Sequence, residues 1–128
     1  QALILAADTV VTLGARILPK TETADEALFC LRLLSGRRHR VLTSVCVLTP
    51  QKKILRTITS VVRFRRLSEK EMQAYVDSGE WKGKAGGYGI QGLAESFIPF
   101  ISGSYSGIVG LPLHETLNML RGAGYEQR

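Results

Sequence analysis

The feature that most constrains the fold is a pair of β-branched, apolar segments, Val41–Leu48 and Ile54–Phe64, separated by the short stretch TPQKK. Side chains alternate between the two faces of a strand. In the second segment this alternation puts apolar side chains on one face, namely Ile58, Val62 and Phe64, and Thr57, Thr59 and Arg63 on the other. An apolar face opposite a polar one is typical of an antiparallel strand with one solvated face. The chain therefore needs other elements to cover the apolar face.

Helices are expected at TADEALFCLRLLSG (23–36) and SEKEMQAYVDSG (68–79). Each begins with a hydroxyl residue that is followed three positions later by glutamate, which is the spacing of a capping box. Each ends at a glycine, the residue that most easily adopts the left-handed conformation after a helix. Pro112 is well placed to begin a last helix, whose inward-facing residues would be Leu113, Leu117 and Leu120.

Two further strands are expected. The continuous apolar run Ala2–Ala7 suits a strand buried on both faces, with Asp8 at its carboxyl end. The second lies near Ser96–Ile101 and precedes a turn-rich stretch, SGSYSGIVGLP. These elements predict an α/β, or mixed α+β, fold with a partly antiparallel sheet flanked by helices. A chain of 128 residues is the size of one domain.

The charge balance favours anionic partners, because 17 Lys and Arg outnumber 11 Asp and Glu. No apolar run reaches the ~18 residues of a membrane span, so no membrane partner is expected. Cys30 and Cys46 are too few for a disulfide framework and lack metal-site spacing, so both are expected to be buried thiols. With no basic, apolar leader at the start, these thiols predict a protein of the reducing cytoplasm.

Asp8 and Lys20 are the first candidate site residues. A carboxylate at a strand end can hold a hard cation or a water molecule that is to be deprotonated, and ligands of open α/β sheets bind at such ends. Lys20 precedes a helix start, where an anion is also attracted by the helix N-terminus. Taken alone, each has an ordinary alternative: Asp8 as a turn or capping residue, and Lys20 as a solvated loop residue.

The stretch KAGGYGIQG (84–92) supplies two more candidates, Lys84 and Gln91. Its glycines allow the backbone to approach a ligand closely, although the spacing is neither a Walker A motif nor GxGxxG, and a plain tight connection is as good an interpretation. The amide of Gln91 offers a donor beside an acceptor, which matches the edge of uracil or thymine; a backbone-capping amide is the alternative. The isolated His39 is expected to open a strand and to bond locally.

Several ordered blocks, among them AADTVV, ILPKTETADEA, YVDSGEWKGKAGGYGIQG and ISGSYSGIVGLPLHET, resemble the Maf family of nucleoside triphosphate pyrophosphatases. The resemblance runs along nearly the whole chain. It implies an elongated mixed sheet and hydrolysis of dTTP or UTP to the monophosphate and pyrophosphate. It also implies a divalent metal cation, Mg²⁺ or Mn²⁺, and a homodimer.

By this resemblance, Asp8 is the catalytic carboxylate that holds water or metal, Lys20 and Lys84 bind phosphates, and Gln91 reads the base. The chain departs from the family in lacking its N-terminal segment, which carries a serine–proline–arginine loop and the first strand. We therefore expect these 128 residues alone to hydrolyse nucleotides very weakly. The alternative is a non-catalytic nucleotide-binding, RNA-binding or dimerisation fragment. Nucleic acid is disfavoured, because the chain has only nine aromatic residues and a single one of them, Phe64, lies within an arginine cluster.

Overall fold

The computed structural model describes residues 2–124 and is built on one five-stranded sheet with strand order β2-β1-β3-β4-β5. All neighbouring strands pair antiparallel. The predicted mixed α+β fold is confirmed. The sheet was expected to be partly antiparallel, whereas the described strands form no parallel pair. The strands are Ile4–Leu13 (β1), Arg16–Leu18 (β2), Arg38–Leu48 (β3), Lys53–Arg63 (β4) and Phe100–Ser102 (β5).

The predicted antiparallel pair forms the centre of the sheet, with β3 and β4 in register from Arg38 opposite Arg63 to Leu48 opposite Lys53. Burial alternates strictly along β3, because every second residue from His39 to Val47 is buried and those between are not. The hairpin therefore presents one face to the core and the other to solvent, as its sequence pattern requires.

Four helices pack on the apolar face of this sheet: Ala24–Leu34 (α1), Glu69–Ser78 (α2), Tyr105–Val109 (α3) and Leu113–Gly122 (α4). Both predicted capping boxes are present, at the beginnings of α1 and α2. Gly79 ends α2 in the left-handed conformation, with φ of 75°. Strand residues that share one face meet the helices in the core, including Val11, Val41 and Val62. No residue on the opposite face of the described strands is buried.

The first strand differs from its prediction in place and in burial. It runs from Ile4 to Leu13, and Leu3, Ile4 and Leu5 are exposed rather than buried on both faces. Asp8 therefore lies within the strand, opposite Ser44 of β3, and not at its carboxyl end. The apolar run misled because β2 covers only the last part of β1, so within residues 2–124 the edge of its first half that faces away from β3 has no partner strand.

Three smaller predictions need correction. The expected strand near Ser96–Ile101 begins instead as a 3₁₀ turn, Leu93–Phe97, and only Phe100–Ser102 pairs with β4. In α4, Leu113 is 58% exposed, whereas Thr116 and Met119 are buried. The helix is thus rotated from the predicted orientation, because adjacent helical positions lie about 100° apart. Cys46 is half-buried on the solvated face, and Cys30 is buried; both thiols are free.

The glycine-rich segment is fastened to the end of β2 by the backbone. Thr21 is buried; its N–H donates to the Lys84 carbonyl (3.1 Å) and its Oγ1 donates to the Trp81 carbonyl (2.7 Å). The Gly86 N–H donates to the Pro19 carbonyl at 3.2 Å. These contacts bring residues about 60 positions apart in sequence to one edge of the sheet.

The pH dependence of folding stability should reflect Glu71. Its carboxylate accepts hydrogen bonds from Arg65, first of all, and from the Ser68 N–H, and these lower its pKa from 4.5 to about 2. A lowered folded-state pKa means that the stabilisation is present above pH 4.5 and is lost as the pH falls towards 2. In urea unfolding between pH 2 and 7, Glu71→Gln should flatten this part of the stability curve, and Arg65→Gln should move the loss to higher pH. A Glu71→Gln curve parallel to the wild type would contradict this.

Gly86→Ala should destabilise the fold more than Gly83→Ala. Both glycines have positive φ, 72° and 70°, so each alanine carries a conformational cost of about 1–2 kcal/mol. A Cβ at Gly86 would also lie 2.9 Å from Cγ1 of Val11, whereas a Cβ at Gly83 meets nothing within 4 Å. Forced overpacking costs about 1–3 kcal/mol, and urea denaturation should resolve this difference. Equal losses in the two variants would show that the loop does not need its close contact with β1.

Candidate active site

A cavity of about 300 Å³ lies where β1, the segment after β2, the glycine-rich loop and the end of α3 meet. Its lining includes all four site residues predicted from the sequence, which come from three separate segments: Asp8, Lys20, Lys84 and Gln91. Each of these side chains is exposed. The structure therefore brings the four together and leaves their functional groups accessible to a solute.

The two lysines become neighbours because Lys20 and Ala85 form an antiparallel bridge at the edge of the sheet. With Asp8 they are the only ionisable acid and base residues in the cavity lining within residues 2–124, apart from the phenol of Tyr88. Two ammonium groups against one carboxylate give the cavity a positive charge. A polyanion is the ligand that such a lining attracts.

Lys84 is guided by a glycine of its own loop. A Cβ placed on Gly89 would lie 3.5 Å from Cε of Lys84, so the lysine stem crosses the face of this glycine. The Gly89 N–H donates to the hydroxyl of Tyr75 on α2 (3.1 Å), which anchors the glycine to the core. The position of the Lys84 ammonium group thus depends on Gly89, a small residue that is anchored to α2.

Gln91 follows two residues after Gly89 in the cavity wall. Its amide makes no hydrogen bond to any residue within the described part of the chain, so the backbone-capping alternative has no support there. The exposed amide keeps its donor and its acceptor for a ligand.

Thr9 is a cavity residue that the sequence reasoning missed. Its hydroxyl lies 3.1 Å from Oγ1 of Thr43, and Thr43 in turn donates to the Gly107 carbonyl at 2.6 Å. A hydroxyl has one proton; since Thr43 gives its proton to Gly107, the contact with Thr9 uses the proton of Thr9. The only sequence signal was the position of Thr9 next to Asp8.

Tyr88 lines the cavity, and the buried His39 is its hydrogen-bond partner. The prediction that His39 bonds locally is wrong, since its Nε2 lies 2.5 Å from the hydroxyl of Tyr88, 49 residues away. His39 does lie at the beginning of a strand, as expected. Burial lowers the pKa of His39 to about 4 and raises that of the Tyr88 phenol above its ordinary value, so both are uncharged at neutral pH.

The cavity offers few protein ligands to a metal ion. Residues 2–124 contain no group of three or more His, Cys, Asp or Glu side chains that could hold one. Asp8 is the single carboxylate in the cavity lining. Mg²⁺ is commonly bound through one or two protein carboxylates together with substrate phosphates and water, so the residues present fit a metal that arrives with a phosphorylated ligand.

None of the helices described between residues 2 and 124 is long and apolar enough to cross a membrane.

Comparison with known proteins identifies relatives along almost the whole chain. Residues 1–123 match the family model described as Maf-like protein. A relative in Rhodopseudomonas palustris (strain HaA2) is 60% identical over 128 residues, and one in Chelativorans sp. (strain BNC1) is 58% identical over 127 residues; both are named dTTP/UTP pyrophosphatase.

These alignments cover 98–99% of this chain but only 61–62% of the relatives. The chain therefore spans about three fifths of the length of the curated relatives that it matches. The family match extends over the cavity residues and over every described strand and helix. The chain belongs to the Maf family.

Proposed function

We propose that the cavity binds nucleoside triphosphates and that the protein acts as a dTTP and UTP pyrophosphatase, releasing the monophosphate and pyrophosphate. The observation that carries the proposal is the meeting of Asp8, Lys20, Lys84 and Gln91 at one positively charged cavity. The names of the relatives support the choice of substrate.

The two lysines and the carboxylate have different roles in the proposed reaction. Lys20 and Lys84 bind the phosphate oxygens and offset negative charge that develops as the anhydride bond breaks. Asp8 orients a water molecule and accepts its proton. A new bond forms between the water oxygen and phosphorus, the bond between the α and β phosphoryl groups breaks, and pyrophosphate leaves with the electron pair.

The divalent cation, Mg²⁺ or Mn²⁺, is part of the proposal. Asp8 would hold it together with the phosphates of the nucleotide, since a hard cation prefers oxygen ligands. When bound, such an ion neutralises phosphate charge as a Lewis acid.

Gln91 is proposed to select the base. The O4 of uracil or thymine accepts a hydrogen bond from the amide N–H, and the neighbouring ring N–H donates to the amide oxygen. Cytosine reverses this order and would leave buried polar groups unpaired, at a cost of about 1–3 kcal/mol each.

A homodimer in the cytoplasm is also proposed. Three exposed apolar side chains support a self-contact at one end of the open sheet face, namely Ile4, Leu48 and Leu55. Sedimentation velocity tests the assembly, and a chain that remains monomeric at high micromolar concentration would exclude it.

Asp8→Asn should lower kcat for dTTP by at least about a hundredfold, because positioned acid–base groups contribute about 10²–10⁴ in rate. The fold should be unaffected, since Asp8 is exposed on the strand. The matched control is Asp77→Asn, which removes the same charge from α2, outside the cavity lining. Pyrophosphate release should be measured in a chimera that carries a relative's N-terminal segment ahead of Gln1. Wild-type kcat in Asp8→Asn would refute its role.

The 128-residue chain should be assayed beside the chimera. We expect it to bind nucleotide and to release pyrophosphate very slowly. Rates typical of enzymes, about 1–10³ s⁻¹, would show that Lys20 and Lys84 suffice as phosphate ligands.

Gln91→Glu should lower kcat/KM for dTTP and UTP selectively, because a carboxylate offers only acceptors and repels O4. The expected change in specificity against a base that presents two donors, such as 7-methylguanine, is roughly ten- to a hundredfold. The control Gln51→Glu adds the same charge at the exposed turn between β3 and β4. The measurement is kcat/KM for dTTP, UTP, CTP and 7-methyl-GTP in the chimera. Equal losses on all four substrates would mean that Gln91 only supports the loop.

A further inference from the structure

Tyr88 lies at the centre of the glycine-rich loop, and its ring is buried although the lysine and glutamine of the loop are exposed. The ring packs edge-on against Phe64, with centroids 4.9 Å apart, and against His39, with centroids 5.4 Å apart. His39 and Phe64 also pack edge-on against each other. The loop thus inserts one aromatic ring into a cluster that belongs to β3 and to the end of β4.

The direction of the buried hydrogen bond between Tyr88 and His39 follows from the number of polar groups that each direction leaves unpaired. If the tyrosine donates to Nε2, the ring proton of neutral His39 lies on Nδ1, which is buried without a partner in the described residues. If Nε2 instead donates to tyrosine, both Nδ1 and the tyrosine proton lack partners. The first arrangement leaves one unpaired group rather than two, and each unpaired buried group costs about 1–3 kcal/mol. Tyr88 is therefore the donor.

This contact lies between the two ligand-facing parts of the loop. Four residues before Tyr88 is Lys84, and three residues after it is Gln91. The next residue, Gly89, carries the stem of Lys84 and donates its N–H to Tyr75. A displacement of the Tyr88 ring would move Gly89, and with it the ammonium group and the amide that face the cavity.

We infer that the Tyr88–His39 hydrogen bond is a positioning contact that holds the substrate-binding loop against the central strand, so that Lys84 and Gln91 face the nucleotide together. The inference rests on the proposed function and deepens it. Tyr88 and His39 need not touch the nucleotide; they act through the loop. The contact adds a directional constraint to the apolar packing of the ring, because a hydrogen bond fixes the depth and rotation of the ring whereas packing alone does not.

The test compares Tyr88→Phe with Phe97→Leu in the 128-residue chain. The first variant keeps the ring and removes only the hydroxyl. The second weakens the same aromatic cluster, since Phe97 packs on Phe64 and Tyr75, and leaves the hydrogen bond in place. We expect the dissociation constant for dTTP, measured by calorimetry, to rise about threefold to tenfold in Tyr88→Phe, the change that loss of one hydrogen bond gives. It should stay within twofold of wild type in Phe97→Leu, whatever the loss of Tm.

Substitution of His39, the partner of Tyr88, supplies a second test. His39→Gln retains an acceptor for the tyrosine and should bind dTTP more tightly than His39→Phe, which removes it. In the double variant Tyr88→Phe/His39→Phe the two effects should not add. Additive effects, or an unchanged dissociation constant in Tyr88→Phe, would overturn the inference. An equal weakening in Phe97→Leu would do so too, because it would assign the effect to general loss of stability.

Hydrogen exchange separates this inference from the proposed function. The amides of Gly87 and Gly89 donate to the Lys84 carbonyl (3.1 Å) and to the Tyr75 hydroxyl (3.1 Å), respectively. Both should exchange faster in Tyr88→Phe. In Phe97→Leu, whose changed side chain packs on Tyr75, the Gly87 amide should keep its exchange rate. If neither the 128-residue chain nor the chimera binds dTTP, the proposed function is refuted and the exchange rates alone decide the positioning role. Unchanged exchange in Tyr88→Phe would overturn it.

Discussion

The attachment of the glycine-rich loop to the end of β2 is the constraint on which the site depends. One buried residue, Thr21, gives both its N–H and its hydroxyl proton to carbonyls of the loop, and its own carbonyl accepts from Gly83 at 2.8 Å. These bonds make neighbours of Lys20 and Lys84. Buried backbone groups must find partners, so the loop cannot leave this edge without breaking several bonds at once. The convergence of positive charge at the cavity follows from backbone pairing rather than from any attraction between the lysines, which repel each other.

The architecture places the whole core on one side of the sheet, and this asymmetry decides where a ligand can approach. The helices occupy the apolar face, and the cavity opens beside β1, where β2 has ended and the loop begins. An antiparallel sheet tolerates a solvated face, so the chain needs helices on only one face of the sheet. The loop contributes to the same core through Tyr88 and Ile90, which links the cavity wall to the packing of the sheet.

Local signals explain what the sequence could predict. The capping boxes of α1 and α2 and the alternation along β3 and β4 involve residues at most a few positions apart, so their patterns are readable directly. The identities of Asp8, Lys20, Lys84 and Gln91 came from motif order, and the structure brings them to one cavity. Their roles stay predictions. The apolar run before Asp8 was misread, because burial depends on neighbouring strands and helices that a single segment does not encode.

The contacts that the sequence did not reveal join distant positions. His39 and Tyr88 are 49 residues apart, and Thr9 and Thr43 are 34 apart. Nothing in the local pattern around His39 indicates a tyrosine partner, since either residue alone is a common core or loop residue. Such pairs become visible only once strand register and loop attachment are known.

The hydrogen bonds from Thr9 to Thr43 and from Thr43 to Gly107 decide which ligand groups can bind at Thr9. With its proton committed inward, the oxygen of Thr9 keeps only lone pairs for the cavity. A phosphate oxygen, itself an acceptor, finds no complementary partner at this hydroxyl. Water, which has two protons to give, does. On the loop side Lys20 and Lys84 offer only donors. The lining is therefore polarised, with a hydrogen-bond acceptor on β1 and hydrogen-bond donors on Lys20 and Lys84.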